Sequence, residues 1–116
     1  MQTHILKQPQ DYSFQKVGIK GRKFPVVDIT PGTGVCVIET EKGHETRIIE
    51  HKCDFIYYVL EGEGYFEING QREDFVAGDL VVVPAGSKFT YKGKCKLILI
   101  TTPPFYPEQE ETFSSN

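Results

Sequence analysis

Apolar residues in this chain recur at every second position, not at the three-to-four spacing of a helix. From residue 49 to residue 59 the alternation is continuous. Ile49, His51, Cys53, Phe55, Tyr57 and Val59 fall on one side of an extended backbone, and Ile56, Tyr58 and Leu60 on the other. The apolar segments are short and rich in β-branched and aromatic residues. This pattern predicts strands over Lys23–Thr30, Val35–Thr40, Thr46–Lys52, Asp54–Leu60, Tyr65–Ile68, Gln71–Phe75, Leu80–Val83, Lys88–Tyr91 and Cys95–Thr102. Glycine, proline, asparagine and aspartate separate them, as in Glu61-Gly62-Glu63-Gly64, Asn69-Gly70, Ala77-Gly78-Asp79 and Pro84-Ala85-Gly86. Asn69-Gly70 suits a tight hairpin, because both residues tolerate the left-handed conformation. Many short strands between regular turns indicate a sandwich or a closed barrel, and closure removes the edges that template aggregation. Pro103-Pro104 ends the last strand, since proline cannot donate to a ladder.

Length and charge narrow the picture. At 116 residues the chain holds one core. The barrel is expected over 23–103. Residues 1–22 form an N-terminal segment, either an edge strand or a dimer arm, and residues 104–116 a C-terminal tail. Hydrophobic residues at 39% and charged ones at 25% exclude a disordered chain. The formal charge is −3 and no basic cluster stands out, so neither nucleic acid nor an anionic membrane is expected as a partner. No apolar run approaches the ~18 residues of a membrane span, and the polar stretch from Met1 to Gln10 does not read as a secretory signal. Cytoplasmic location is the expectation. Cys36, Cys53 and Cys95 are odd in number and widely spaced, which suits buried free thiols better than disulfides or a Cys-x-x-Cys zinc site.

Two stretches carry a family resemblance. Tyr57 to Gly64 resembles the first motif of the cupin superfamily, and Ala77-Gly78-Asp79-Leu80-Val81-Val82-Val83-Pro84-Ala85-Gly86 resembles the second. The resemblance implies an all-β fold, a double-stranded β-helix or jelly-roll β-barrel of the cupin, RmlC-like type. Typical cupins hold a divalent metal on three histidines and a glutamate. Anchoring the first motif on Gly62 places its ligands at Ile49, His51 and Phe55. Anchoring the second on Gly78, Pro84 and Gly86 places its histidine at Phe89. Only His51 keeps a ligand, and one imidazole cannot hold a divalent ion against water. The usual cofactor is therefore not expected. The alternative is a non-standard metal site of His51 with His44, Cys53 or Asp54, which needs a bulge to turn Asp54 inward.

The expected interior is apolar with a few polar groups, as in an organic ligand pocket. Ile49, Cys53, Phe55, Phe89 and Tyr91 are its expected lining. His51 and Tyr57 are the candidate catalytic residues: an imidazole exchanges protons near neutrality, and a phenol can donate to a ligand. His4 and His44 are expected at the surface. The second apolar face, Ile56, Tyr58 and Leu60, needs cover, which makes a homodimer the expectation. The sequence is thus read as a small-molecule-binding cupin, acting by isomerase- or epimerase-like acid/base chemistry on a sugar or carboxylate metabolite. One alternative is a metal-dependent dioxygenase or phosphosugar isomerase with non-standard ligands. The other is a non-catalytic accessory cupin, which would lack a cavity above roughly 300 Å³.

Overall fold

The extended, glycine-punctuated segments pair into ten antiparallel strands in the computed structural model, which describes residues 4–105 and 110–114. They are β1 (Phe14–Lys16), β2 (Ile19–Phe24), β3 (Gly34–Thr40), β4 (Thr46–Glu50), β5 (Asp54–Ile68), β6 (Gln71–Val76), β7 (Leu80–Val83), β8 (Lys88–Lys92), β9 (Cys95–Thr102) and β10 (Glu110–Ser114). The order is β1-β2-β3-β9-β5-β8-β4-β10, with β6 and β7 also paired to β5. This is the all-β jelly roll that the cupin resemblance implied. No helix among the described residues is long and apolar enough to cross a membrane.

The 15-residue β5 organises the barrel. Its first half pairs with β9 and β7, and its second half with β6 and β8. Between them the register shifts at Val59/Glu61 and the strand turns a corner. A Cβ at Gly62 would stand 2.1 Å from the Lys94 carbonyl oxygen, so only glycine lets the two backbones approach there. The stretch Glu61–Gly64, expected as a turn between strands, is therefore a bend within one strand.

Inward side chains follow the expected alternation on β5: Cys53, Phe55, Tyr57 and Val59 are buried. The Tyr57 ring packs 5.1 Å from Phe66 and 5.5 Å from Tyr91 between centroids. Each such pair adds about 0.5–1.5 kcal/mol beyond the area it buries. On the outer face Tyr58 and Leu60 are exposed, together with Leu80 and Val82 of β7.

One expected strand is displaced, and both end segments add strands to the sheet. The strand expected over Lys23–Thr30 begins earlier and stops at Phe24. Pro25 follows, and Val26–Asp28 form a single 3-10 turn. The N-terminal segment contributes β1 and β2 to the sheet edge, where β2 pairs with β3 from Ile19↔Thr40 to Phe24↔Val35. The tail contributes β10, which pairs with β4 and sets Thr112 opposite Ile48. Residues 1–3 of the N-terminal segment and 106–109 and 115–116 of the tail lie outside the described residues.

The largest departure lies between β4 and β5. On β4, Ile48 and Glu50 are buried and Ile49 is only half-buried. The strand stops at Glu50, whose Oε1 accepts hydrogen bonds from the Lys52 N–H at 2.7 Å and the Cys53 N–H at 3.1 Å. This carboxylate holds a bend that breaks the alternation. Ile49 and His51 are left outside the barrel, and Cys53 is back inside.

Candidate functional site

A cavity of about 530 Å³ opens into the barrel, bounded by the inward faces of β2, β3, β5, β8 and β9. Phe14 and Lys16 on β1, Phe105 after β9 and Thr112 on β10 stand around it, and His44, Ile48, Phe55, Tyr57 and Tyr91 line it. The volume is in the range of small-molecule sites. A second depression of about 540 Å³ lies among Lys20, Lys94, Lys96, Glu39, Glu41 and Glu61. Its charges offset one another, as in the Lys94–Glu41 pair at 3.7 Å, and no buried histidine or tyrosine faces it. The chemistry therefore sits in the interior cavity.

His44 is its buried titratable group. It follows Gly43 in the turn between β3 and β4, and the peptide is held on both sides. The His44 N–H donates to the Tyr91 carbonyl at 2.8 Å. The His44 carbonyl accepts from the Thr90 hydroxyl at 3.3 Å and the Lys92 ammonium at 2.5 Å. The imidazole meets the Tyr91 ring edge-on, with centroids 5.7 Å apart. Its Nδ1 lies 2.9 Å from the Thr46 carbonyl oxygen and 3.2 Å from both the Thr46 amide nitrogen and the Thr46 hydroxyl. Assigning the bond to the shortest of these contacts, the carbonyl, puts the proton on Nδ1 and the lone pair on Nε2. Burial pulls the His44 pKa down to about 4; the Lys92 and Lys16 charges add to this, and the Thr46 bond opposes it. The imidazole is thus neutral at pH 7, and Nε2 can take a proton.

Tyr57 and Tyr91 come to the same cavity from β5 and β8 and are almost wholly buried. Of the expected lining, Phe55 and Tyr91 are present, with the candidate catalytic Tyr57. Five placements differ from the expectation. His51 is half-exposed outside the barrel, with Nε2 2.5 Å from Glu111 Oε1. Ile49 shares that outward face, because the Glu50 bend changes the phase of the strand. His44, expected at the surface, is in the cavity. Cys53 and Phe89 are buried but pack into the core instead of lining the cavity. The Cys53 thiol donates to the Pro103 carbonyl at 3.0 Å, and Phe89 packs edge-on against Phe55. Burial, aided by the Glu50 charge, pushes the Cys53 thiol up to about 11.

A signal for His44 was present in the chain. His44, Thr46, Ile48 and Glu50 also alternate at period two. With isoleucine at both 48 and 49, local hydrophobicity could not choose between the two phases.

The residues do not fit the metal that typical cupins carry. At the four ligand positions, Ile49 and His51 point outward, and Phe55 and Phe89 are apolar rings packed 5.7 Å apart. The non-standard set is dispersed: His44 is in the cavity, His51 pairs with Glu111, Cys53 bonds Pro103, and Asp54 accepts the Ala85 N–H at 2.9 Å. No three His, Cys, Asp or Glu side chains among the described residues converge on a point.

This architecture is that of the cupin domain family, to which the chain belongs: the family model matches residues 26–101. No curated protein matches it. Among solved structures it is similar to Streptomyces Pac13 carrying a histidine-to-glutamine substitution, with uridine. The two share 26% identity over 98% of this chain and 95% of that one, with a TM-score of 0.88. Two further Pac13 structures with uridine each carry a tyrosine-to-phenylalanine substitution, at 25% identity and a TM-score of 0.88. A Pac13 structure described as that of a unique nucleoside dehydratase matches at 27% identity, covering 93% of this chain and 90% of that one, with a TM-score of 0.84. KdgF from Halomonas sp. shares the fold at 20% identity, 83% and 88% coverage and a TM-score of 0.72.

Proposed function

We propose that this chain is a nucleoside dehydratase that binds a uridine-like nucleoside in the barrel and removes water from its sugar, with His44 as the base. One observation carries the reading: a neutral buried imidazole and two buried tyrosines share a cavity of about 530 Å³. His44, Tyr57 and Tyr91 also fall at the same spacings along this chain as the substituted histidine and two tyrosines along Pac13. The volume exceeds what a filled, purely structural barrel would leave, which weighs against a non-catalytic accessory role.

The chemistry follows from the seating of His44. Nε2 takes a proton from a sugar carbon. The released electron pair forms a carbon–carbon double bond, the neighbouring C–O bond breaks, and hydroxide leaves. The imidazolium returns the proton to that hydroxide, so water departs and His44 is regenerated. A sugar C–H is acidic enough for this only when a neighbouring carbonyl accepts the charge. The aromatic walls, Phe55, Tyr57 and Tyr91, offer faces on which a pyrimidine stacks. The test is calorimetric titration with uridine, followed by mass spectrometry of uridine and ribose-oxidised uridines incubated with the full chain. Binding of uridine and loss of one water from an oxidised derivative are expected. No binding of any uridine derivative overturns the reading.

A further inference from the structure

We propose that Lys92 is a positioning residue for His44: its ammonium fixes the His44 peptide to the end of β8, so that the imidazole stays seated against Tyr91 in the cavity. The proposal rests on the reading of His44 as the base. Three consecutive residues of β8 engage the backbone of this one residue. Thr90 and Lys92 both donate to its carbonyl, at 3.3 and 2.5 Å, and the Tyr91 carbonyl accepts its N–H at 2.8 Å. Tyr91 thereby contributes twice, with its backbone to the hold and with its ring to the contact on the imidazole. Lys92 alone among the three brings a full charge, and its bond to a carbonyl is of the charge-assisted kind, roughly twice as strong as a neutral one.

The turn is built to permit this approach. Gly43 bridges to Lys92, and a Cβ on it would stand 2.4 Å from the Lys92 Cα and 2.4 Å from the Tyr91 carbonyl oxygen. Its φ of +106° is closed to other residues in any case. Glycine at 43 and lysine at 92 therefore act as one device. Glycine removes the side chain that would hold the strands apart, and lysine closes the gap with a cation.

The same cation acts on the ring it holds. The charged and titratable groups around His44 are Lys92 and Tyr91 on β8, Lys16 on β1 and Tyr57 on β5. Both lysines disfavour a second positive charge on the imidazole, and Lys92 does so from a site bonded to the His44 peptide itself. A neutral anchor would seat the ring without this effect of charge.

The experiment compares Lys92→Met, which keeps the stem and loses donor and charge, with Lys92→Gln, which keeps a donor alone, and Lys92→Arg, which keeps both. NMR titration of the His44 ring in the ligand-free full chain is read beside kcat and KM on the uridine derivative that loses water. For Lys92→Met the His44 midpoint is expected to rise from about 4 by about one pH unit. Its kcat is expected to fall about 10-fold or more with KM within about twofold. Lys92→Gln is expected to raise the midpoint while keeping the ring shifts of the wild type, and Lys92→Arg to restore both. An unchanged midpoint in Lys92→Met overturns the proposal, as does a Lys92→Arg variant no better than Lys92→Met. Should Lys92→Met not fold, an unmoved midpoint in Lys92→Gln overturns it equally. Failure of the wild type to convert any uridine derivative removes the dehydratase reading, and the titration then still decides whether Lys92 seats His44.

Discussion

His44 and His51 stand just beyond the two ends of β4, and everything else about them differs. His44 is buried, anchored through Nδ1, held neutral at pH 7 and part of the cavity wall. His51 is half-exposed and paired with a carboxylate at the surface. The distance along the chain is small, so the difference comes from the phase of the strand and from what closes each end. At one end Gly43 admits β8 against the backbone, and the site is enclosed. At the other, Glu50 draws two backbone amides around its carboxylate and turns His51 out to water. An imidazole becomes a neutral cavity group or a surface pairing group according to these neighbours.

The contrast can be broken by substitution, and the largest effect is expected at the first end. His44→Gln should lower turnover by about 10²–10⁴-fold, the usual worth of a general base, while His51→Gln stays within about twofold. Initial rates of water loss, measured by mass spectrometry, would check both; equal losses would erase the distinction.

Acid should separate the two ends next. The folded pKa of His44 lies below its unfolded value of 6.5, at about 4, so the unfolded chain binds the proton more readily. The stability that goes with neutral His44 is complete above pH 6.5 and is lost as pH falls from 6.5 toward 4, by about 3 kcal/mol in all. Urea unfolding across that window is expected to show this slope in the wild type and to lack it in His44→Gln.

A smaller effect is expected at the bend. Glu50→Ala removes the acceptor of the buried Cys53 amide and the partly buried Lys52 amide and should destabilise by about 1–3 kcal/mol, with no new group entering the cavity. Chemical denaturation, with uridine titration of the folded variant, reads both parts. The smallest effect is expected at the outer pair. Glu111→Gln and His51→Ala should each change stability by less than about 1 kcal/mol, because solvent screens an exposed ion pair. A thermal melt showing a large drop for either would mean that β10 depends on this contact.

Much of the scaffold was legible in the chain. Strand period, turn glycines and terminating prolines are local properties, so the barrel and most strand positions could be read directly. Phe55 and Tyr57 lie inside the barrel because the alternation along β5 holds from Phe55 to Val59. Lys23–Thr30 was not legible in this way, since Pro25 interrupts a run that is otherwise strand-like. Nor was the corner in β5, where Glu61-Gly62-Glu63-Gly64 reads as a turn until Lys92–Lys94 are seen packed against it.

By itself, then, the sequence determined a jelly roll with an aromatic interior and without the metal ligands of its relatives' motifs. Tertiary structure alone decided which histidine serves the cavity. Ile48 and Ile49 are equally apolar, so a one-residue change of phase carries no local penalty and yet exchanges the two faces of β4. The choice was made by contacts distant along the chain: Thr112 of β10 opposite Ile48, and Thr90 to Lys92 of β8 holding the peptide of His44. Such contacts exist only once the barrel has closed.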